Sequence, residues 1–182
     1  KFPRAVNDRL PSRMRIVSSF SAGTEHIDLA AAREKGLVIG NAPHGVTIAT
    51  AEIAMLLILG ACRRAPEGQA LVRTGGWTGW TPTQLLGRRL DGKVLGILGL
   101  GRIGQALAKR ARAFDMAIHY HNRQRLPPSE EHGACYHRSF ASLAAASDVL
   151  SLNAPATPAT RQIVNAATLR QMKPGVILVN TA

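Results

Sequence analysis

Val94-Leu95-Gly96-Ile97-Leu98-Gly99-Leu100-Gly101-Arg102-Ile103-Gly104-Gln105-Ala106-Leu107 decides the fold. An apolar run of strand character breaks at a glycine-rich turn, and a helical pattern starts at once. Gly99, Gly101 and Gly104 stand at the spacing G-x-G-x-x-G. Gly99 permits the tight strand-to-helix turn, Gly101 lets the backbone approach a pyrophosphate, and Gly104 lets the helix pack close to the strand. The free N–H groups and the positive dipole end of the helix then face the phosphates. The spacing alone recurs in many loops. Its position between a strand and a helix is what points to dinucleotide binding, with Leu100, Arg102 and Ile103 as the intervening residues of the phosphate loop.

Towards the C-terminus the pattern alternates. Ile103 to Phe114 reads as a helix, Met116 to Tyr120 as a second strand, and Arg123 to Pro128 as a basic, proline-containing loop. Ser139 to Ala146 reads as a helix, Val149 to Leu152 as a strand and Thr168 to Met172 as part of a helix. Lys173-Pro174-Gly175 turns the chain into a last strand, Val176 to Val179. Strands alternating with helices imply an α/β fold, a doubly wound parallel sheet of Rossmann type. Such sheets bind ligands at the carboxyl ends of their strands. Asn153-Ala154-Pro155 and Asn180-Thr181-Ala182 are therefore expected to line the crevice, with Ala154, Pro155 and Thr181 as contacts.

The end of the second strand selects between nicotinamide cofactors. NAD-binding versions of this fold place an Asp or Glu there to accept bonds from the adenosine ribose hydroxyls. Here Asn122 stands eighteen residues past Gly104, followed by Arg123 and Arg125. Asparagine is neutral and can donate a hydrogen bond, and arginine carries a planar, permanent charge suited to phosphate oxygens. The reading is a preference for NADP(H) over NAD(H), with Arg123 the main 2′-phosphate ligand and Arg125 secondary; a solvated basic loop is the alternative.

Towards the N-terminus, Arg15 to Phe20 and Leu37 to Ile39 read as strands and Glu25 to Lys35 as a helix stopped by Gly36, while the first dozen residues show no clear element. Gly40-Asn41-Ala42-Pro43 and His44-Gly45 mark a boundary, giving a first domain over 1–44 and a dinucleotide-binding domain over 45–182. Thr47 to about Arg64 reads as a long helix in which the ten residues Ile53 to Cys62 are all apolar. A membrane span needs about 20, so no membrane partner is inferred. A helix apolar all round is buried, between domains or between subunits. Pro66 opens a further helical stretch, and Gly75 to Pro82 is a loop holding both tryptophans, Trp77 and Trp80, as anchors of the loop or caps on a pocket or interface.

The 182 residues include 23 basic and 11 acidic side chains, a formal net charge of +12. The basic residues are scattered, with short clusters at Arg63-Arg64, Arg88-Arg89 and Lys109-Arg110, and aromatics make up only 4%. Stacking platforms for bases are thus scarce. The reading is a basic surface that favours small anions, with no nucleic-acid partner; a steep salt dependence of any DNA affinity would mark the other case. Cys62 and Cys135 offer neither a disulfide framework nor metal-ligand spacing, and no metal site is inferred. No signal peptide is recognised, and a cytoplasmic location follows as the default.

Four stretches together resemble the D-isomer-specific 2-hydroxyacid dehydrogenases: Ser19 to Asp28, Gly99 to Gln105, Met172-Lys173-Pro174-Gly175 and Val179-Asn180-Thr181-Ala182. The resemblance covers nearly the whole chain in the family's order. Gly76-Trp77-Thr78-Gly79-Trp80 and Tyr120-His121-Asn122-Arg123 resemble the glyoxylate/hydroxypyruvate reductase branch. The resemblance implies a two-domain subunit, a cleft between the domains and a homodimer built on the cofactor domain. It assigns residues 1–44 to a remnant of a flavodoxin-like substrate domain, and the backbone amides of Ala22 and Gly23 to the substrate carboxylate. The family usually has Gly-Val-Gly where this chain has Ser21-Ala22-Gly23, which keeps backbone donation and alters the pocket's shape.

The activity implied is NAD(P)H-dependent reduction of glyoxylate or hydroxypyruvate to the D-2-hydroxy acid. The family's catalytic arginine, glutamate and histidine match no position here, so no catalytic residue is assigned and the chain is read as an inactive piece of a longer enzyme. His26, His44, His119, His121, His132 and His137 are read as surface or packing residues. An NAD(H)-binding co-repressor of the same fold is the alternative, and phosphoglycerate, formate and phosphite dehydrogenases are sister possibilities.

Overall fold

A computed structural model describes residues 2–182. The chain forms two compact units that divide between Ala49 and Thr50, within the first turn of a helix.

The first unit carries helix α1 (Arg4–Asp8), strand β1 (Ile16–Ser18), helix α2 (Leu29–Glu34) and strand β2 (Val38–Gly40). β1 and β2 pair in parallel, Ile16 opposite Val38. α1 falls where the sequence shows no element. Its carbonyl end is held from outside: the Lys35 ammonium donates to the carbonyls of Asn7, Asp8 and Leu10 at 2.6, 3.0 and 2.8 Å. α2 starts at Leu29, not Glu25, because Asp28 caps it by accepting from the Ala31 amide at 2.9 Å. Gly36, at φ +70°, ends it.

The second unit begins with helix α3 (Thr47–Cys62) and helix α4 (Ala65–Arg73). α3 stops at Cys62 because Arg64 turns left-handed (φ +54°) and Pro66 opens the next helix. Strand β3 (Val94–Leu98), helix α5 (Arg102–Arg112), strand β4 (Ala117–His121), helix α6 (Pro128–Glu131) and strand β5 (Cys135–Tyr136) follow. Helix α7 (Phe140–Ala146), strand β6 (Val149–Leu152), helix α8 (Ala166–Gln171) and strand β7 (Ile177–Asn180) complete the chain. The strands form one parallel sheet in the order β5-β4-β3-β6-β7. This is the reversal of strand order that defines a doubly wound sheet, with the switch point between β3 and β6. α6 and β5 lie in a stretch beyond the Arg123 to Pro128 loop to which the sequence assigns no element, one a single turn started by Pro128, the other two residues long.

Each sheet face buries its own core. Leu95, Ile97, Ile118, Tyr120, Val149 and Val179 pack with α3 and α5 through Ala54, Ile58, Leu107 and Ala111. On the other face Leu98 and Leu150 pack with Phe140, Leu143 and Met172 from α7 and α8. All of these residues are less than a tenth exposed, and their burial is the main stabilising term of the unit. α3 is only half covered. Ala51, Ala54, Met55, Ile58 and Cys62 are buried, whereas Ile53, Leu56 and Leu57 are exposed by 51%, 61% and 44%. Trp77 and Trp80 are both exposed. Among the described residues, no helix is long and apolar enough to cross a membrane.

Candidate dinucleotide site

β3 delivers the chain to the switch point, and the three glycines there behave differently. Gly99 has φ +94°, a region that favours glycine, and a Cβ on it would stand 2.9 Å from the Ala154 amide nitrogen. A Cβ on Gly104 would overlap the Gly99 carbonyl oxygen and sit 3.1 Å from Ile97 Cγ2, so only glycine lets α5 close against the turn. A Cβ on Gly101 meets nothing within 4 Å. Its lack of a side chain is unexplained by the protein's own packing, and it opens space on the crevice side.

Gly101 is also the N-cap of α5 and supplies no side-chain cap. The first-turn amides of a helix have no intrahelical partner, so those of α5 offer donors suited to an anion. Lys109, Arg110 and Arg112 occupy the last turn, where cations favour the helix dipole. The Leu100 amide is already used: it donates to Asn122 Oδ1 at 2.7 Å. The Gly99 amide donates to the His121 carbonyl at 3.0 Å and the Asn153 amide to the Leu98 carbonyl at 2.9 Å. The loop is thereby tied to the ends of β4 and β6.

A crevice of about 1030 Å³ opens over this point. Gly99, Gly101, Asn122, Arg123, Ala154 and Pro155 line it, together with Asn153 and Thr157 to Thr160. Of the expected cofactor contacts, Leu100 is buried behind the turn and contributes its tied amide, and Arg102 and Ile103 open α5. Two buried polar atoms at the strand ends have no partner, Asn153 Nδ2 and Thr181 Oγ1. Buried polar groups in proteins are bonded in the great majority of cases. Asn153 lines the crevice, where a ligand acceptor would pair its amide nitrogen, so the residues present fit a dinucleotide; Thr181 is not among the lining residues. Asn153 falls in a segment the sequence places at the crevice, and the structure adds its state: Ser151 Oγ donates to its Oδ1 at 2.8 Å, which fixes the amide with its nitrogen unpaired.

The two arginines separate. Arg123 is exposed and lines the crevice. Arg125 instead grips Glu131 with two bonds of 2.8 and 3.0 Å and lies 5.7 Å from the Tyr136 ring centre. Tyr120 Oη donates to the same carboxylate at 2.6 Å. The Arg125 guanidinium, then the Tyr120 hydroxyl, hold the Glu131 carboxyl down to about 2. Burial first, then Glu131, pushes the Tyr120 hydroxyl up. With Asn122 Oδ1 facing Leu100, its amide nitrogen is left to donate.

In the first unit, the Ala22 and Gly23 carbonyls are held by Asn41 Nδ2 at 2.7 Å and Ser21 Oγ at 2.8 Å. Ser19 Oγ, 2.7 Å from Ser21 Oγ, also lies 3.3 Å from His26 Nε2. The Ser21 carbonyl accepts from the Ala42 amide at 3.0 Å, so the peptide units that carry the Ala22 and Gly23 amides are both fixed in orientation, the first through Ser21 and the second through the Ala22 carbonyl. The Glu25 carboxylate crowds Gly23, in the space a Cβ there would take.

A parallel doubly wound sheet, with a glycine turn, an open helix N-terminus and a crevice at its switch point, defines a Rossmann-type dinucleotide-binding domain. Residues 55–182 match the family model of the D-isomer specific 2-hydroxyacid dehydrogenase, NAD binding domain. The chain belongs to the D-isomer-specific 2-hydroxyacid dehydrogenase family, and its cofactor class is a nicotinamide dinucleotide. It is 52% identical to a glycerate dehydrogenase of Hyphomicrobium methylovorum over 184 residues, 100% of this chain and 57% of that protein. It is 41% identical to a glyoxylate reductase of Thermococcus litoralis, over 93% of this chain and 53% of the relative. A solved glyoxylate reductase from Paecilomyes thermophila superposes with a TM-score of 0.91 at 45% identity, over 100% of this chain and 54% of the other. The chain spans about half the length of the curated relatives it matches.

Proposed function

We propose that the protein to which this chain belongs reduces glyoxylate or hydroxypyruvate to the corresponding D-2-hydroxy acid, with NADPH preferred over NADH. The observation that carries the cofactor preference is the end of β4: a neutral Asn122 with its amide nitrogen free, and Arg123 on the crevice wall. A carboxylate at that position would repel a 2′-phosphate, whereas an amide and a guanidinium attract it. Arg125 is committed to Glu131 and takes at most a secondary part.

When bound, the nicotinamide supplies the hydride. This chain's residues bind and orient: the first turn of α5 and the Gly101 backbone hold the pyrophosphate, Ala154 and Pro155 bound the crevice, and Asn153 and Thr181 bond the cofactor's polar groups. The Ala22 and Gly23 amides receive the substrate carboxylate. The arginine, glutamate and histidine that the family resemblance assigns to catalysis match no position among these 182 residues, so the chain by itself is proposed to bind nucleotide without turnover. Homodimerisation through α3 and a cytoplasmic location belong to the same reading.

The test is a reductase assay on the full-length protein with glyoxylate and hydroxypyruvate, each with NADPH and NADH at fixed salt. The expected result is reduction of at least one acid, with higher kcat/KM for NADPH. Equal use of the two cofactors overturns the preference, and nucleotide binding with no reduction of any 2-oxo acid favours a regulatory, non-catalytic protein. Turnover by the 182 residues alone overturns the assignment of catalysis to residues outside them.

A further inference from the structure

Residues two apart in a strand share a face, and β4 and β5 are parallel neighbours with His119 directly opposite Cys135. His137 follows Cys135 by two and remains against β4, its amide donating to the Tyr120 carbonyl at 2.7 Å. The pairing therefore collects His119, Cys135 and His137 at one edge of the sheet, on the face opposite Ile118 and Tyr120. His119 Nδ1 and His137 Nε2 are 2.9 Å apart, and one donor atom from each of the three residues lies within 4.8 Å of the others. Both imidazoles are half-buried and Cys135 is exposed. His137 Nδ1 stands 2.7 Å from Ser142 Oγ, and Ser142 is fixed in the first turn of α7, its amide donating to the N-cap oxygen of Ser139 at 3.2 Å. His121 is used elsewhere, its Nδ1 donating to the His137 carbonyl at 2.8 Å.

We propose that His119, Cys135 and His137 form a binding site for a thiophilic divalent transition metal of the Zn²⁺ type, separate from the dinucleotide crevice. Two imidazole nitrogens and a thiolate suit zinc and exclude the hard cations Mg²⁺ and Ca²⁺, which take oxygen ligands. Zinc–nitrogen bonds of about 2.0–2.1 Å in a tetrahedral site place two nitrogens about 3.3 Å apart. The two imidazoles therefore need to part by only a few tenths of an ångström. Cys135 lies on an exposed edge strand, where its side chain is free to turn inward.

Ser142 completes the arrangement. Metal-bound histidines almost always bond through their second nitrogen, which fixes the tautomer and the ring's orientation. With His137 Nδ1–H donating to Ser142 Oγ, His137 Nε2 carries the lone pair. The cation takes the place of the proton shared with His119, which then carries its N–H on Nε2. Cys135 releases its thiol proton to solvent. Three protein ligands leave the fourth position to water. Burial first, then a neighbouring histidine, lowers both imidazoles from the ordinary histidine range, in keeping with neutral donors. The sequence offers no metal spacing here, because the ligands come from two strands whose pairing only the fold reveals.

The test titrates Zn²⁺ into the chelator-treated protein by calorimetry, and follows Co²⁺ in place of Zn²⁺ by absorption. One equivalent should bind, with a thiolate-to-cobalt charge-transfer band and the visible bands of a four-coordinate ion. Cys135→Ser should abolish the charge-transfer band and weaken Zn²⁺ by about a hundredfold or more, and His119→Gln should weaken it similarly. Ser142→Ala should keep the band and weaken binding by roughly tenfold, as loss of an outer partner does. Cys135 is exposed, so its replacement leaves the core intact. Failure of the wild-type protein to bind Zn²⁺ saturably, or equal binding by wild type and Cys135→Ser, overturns the proposal.

Discussion

At the scale of single residues, the two side chains at the end of β4 divide the labour. Asn122 accepts from the Leu100 amide through its oxygen, and in the proposed cofactor reading its nitrogen is the group that meets the ligand. Asn122→Asp preserves the acceptor for Leu100 and replaces the donor with a second anionic oxygen. NADPH should weaken by tenfold or more, and NADH, whose ribose hydroxyls donate to such an oxygen, should tighten. Arg123→Ala removes a charge-assisted contact, for which roughly ten- to a hundredfold is the expected loss of NADPH, with NADH nearly unchanged. Fluorescence titration of both cofactors at fixed salt checks both variants; equal weakening of the two cofactors by Arg123→Ala would show that Arg123 does not read the 2′-phosphate. The sequence shows the absence of a carboxylate at this position as plainly as the structure does. It does not show that Arg125 is occupied. Only Gln124 separates Arg123 from Arg125, and nothing in their order says that Glu131, six positions beyond Arg125, returns beneath it.

At the scale of elements, the glycine turn separates packing from ligand approach. Gly104→Ala forces a methyl group into the Gly99 carbonyl and Ile97, so thermal unfolding should show a loss of about 1–3 kcal/mol. Gly101→Ala meets open space and should keep stability within about 0.5 kcal/mol. It should nonetheless weaken NADPH and NADH alike, because only the bound pyrophosphate comes close enough to feel the methyl group; unchanged nucleotide affinity in Gly101→Ala would remove that role from Gly101. A second tie joins α6 to β4, where Glu131 meets Arg125 and Tyr120. The Glu131 carboxyl is lowered from its ordinary 4.5 to about 2. Its contribution to stability is therefore complete above about pH 4.5 and is lost as the pH falls towards 2. Glu131→Gln should unfold at lower urea at neutral pH and lose less stability than wild type between about pH 5 and pH 2, as urea midpoints across that range will show. Helix α5 is legible in the sequence because its amphipathic period accumulates over eleven residues, α3 because its apolar run is unbroken, and β3, β4 and β6 because each is a short apolar run closed by a turn or loop. α6 and β5 are not, because four and two residues carry no period, and α1 is not, because its closing contacts come from Lys35 on a distant segment.

At the scale of the whole molecule, α3 is the element the chain leaves unfinished. From Ile53 to Cys62 its sequence is apolar on every side, with Glu52 at the edge of that run paired to Arg110, and a helix apolar all round is ordinarily buried. The sheet covers Ala51, Ala54, Met55, Ile58 and Cys62 and leaves Ile53, Leu56 and Leu57 facing outward, with no charged residue between Ile53 and Cys62 to make that face a water surface. Side chains three and four apart lie together on a helix, so Ile53, Leu56 and Leu57 make one contiguous apolar stripe. A patch of this kind on a protein of net charge +12 needs an apolar partner, since a highly charged surface elsewhere resists close approach except where charges are absent. In the proposed homodimer a second copy of the chain would offer the same stripe, and a twofold axis would bring each to face the other. The wild-type protein should therefore sediment as a dimer at micromolar concentration. Leu56→Glu places a carboxylate in the centre of the stripe without touching the buried side of α3. It should shift the protein to monomer while leaving the far-ultraviolet circular dichroism unchanged. Sedimentation equilibrium of both proteins decides the matter: a wild type that stays monomeric up to high concentration, with α3 open to solvent, rules out self-association through this face.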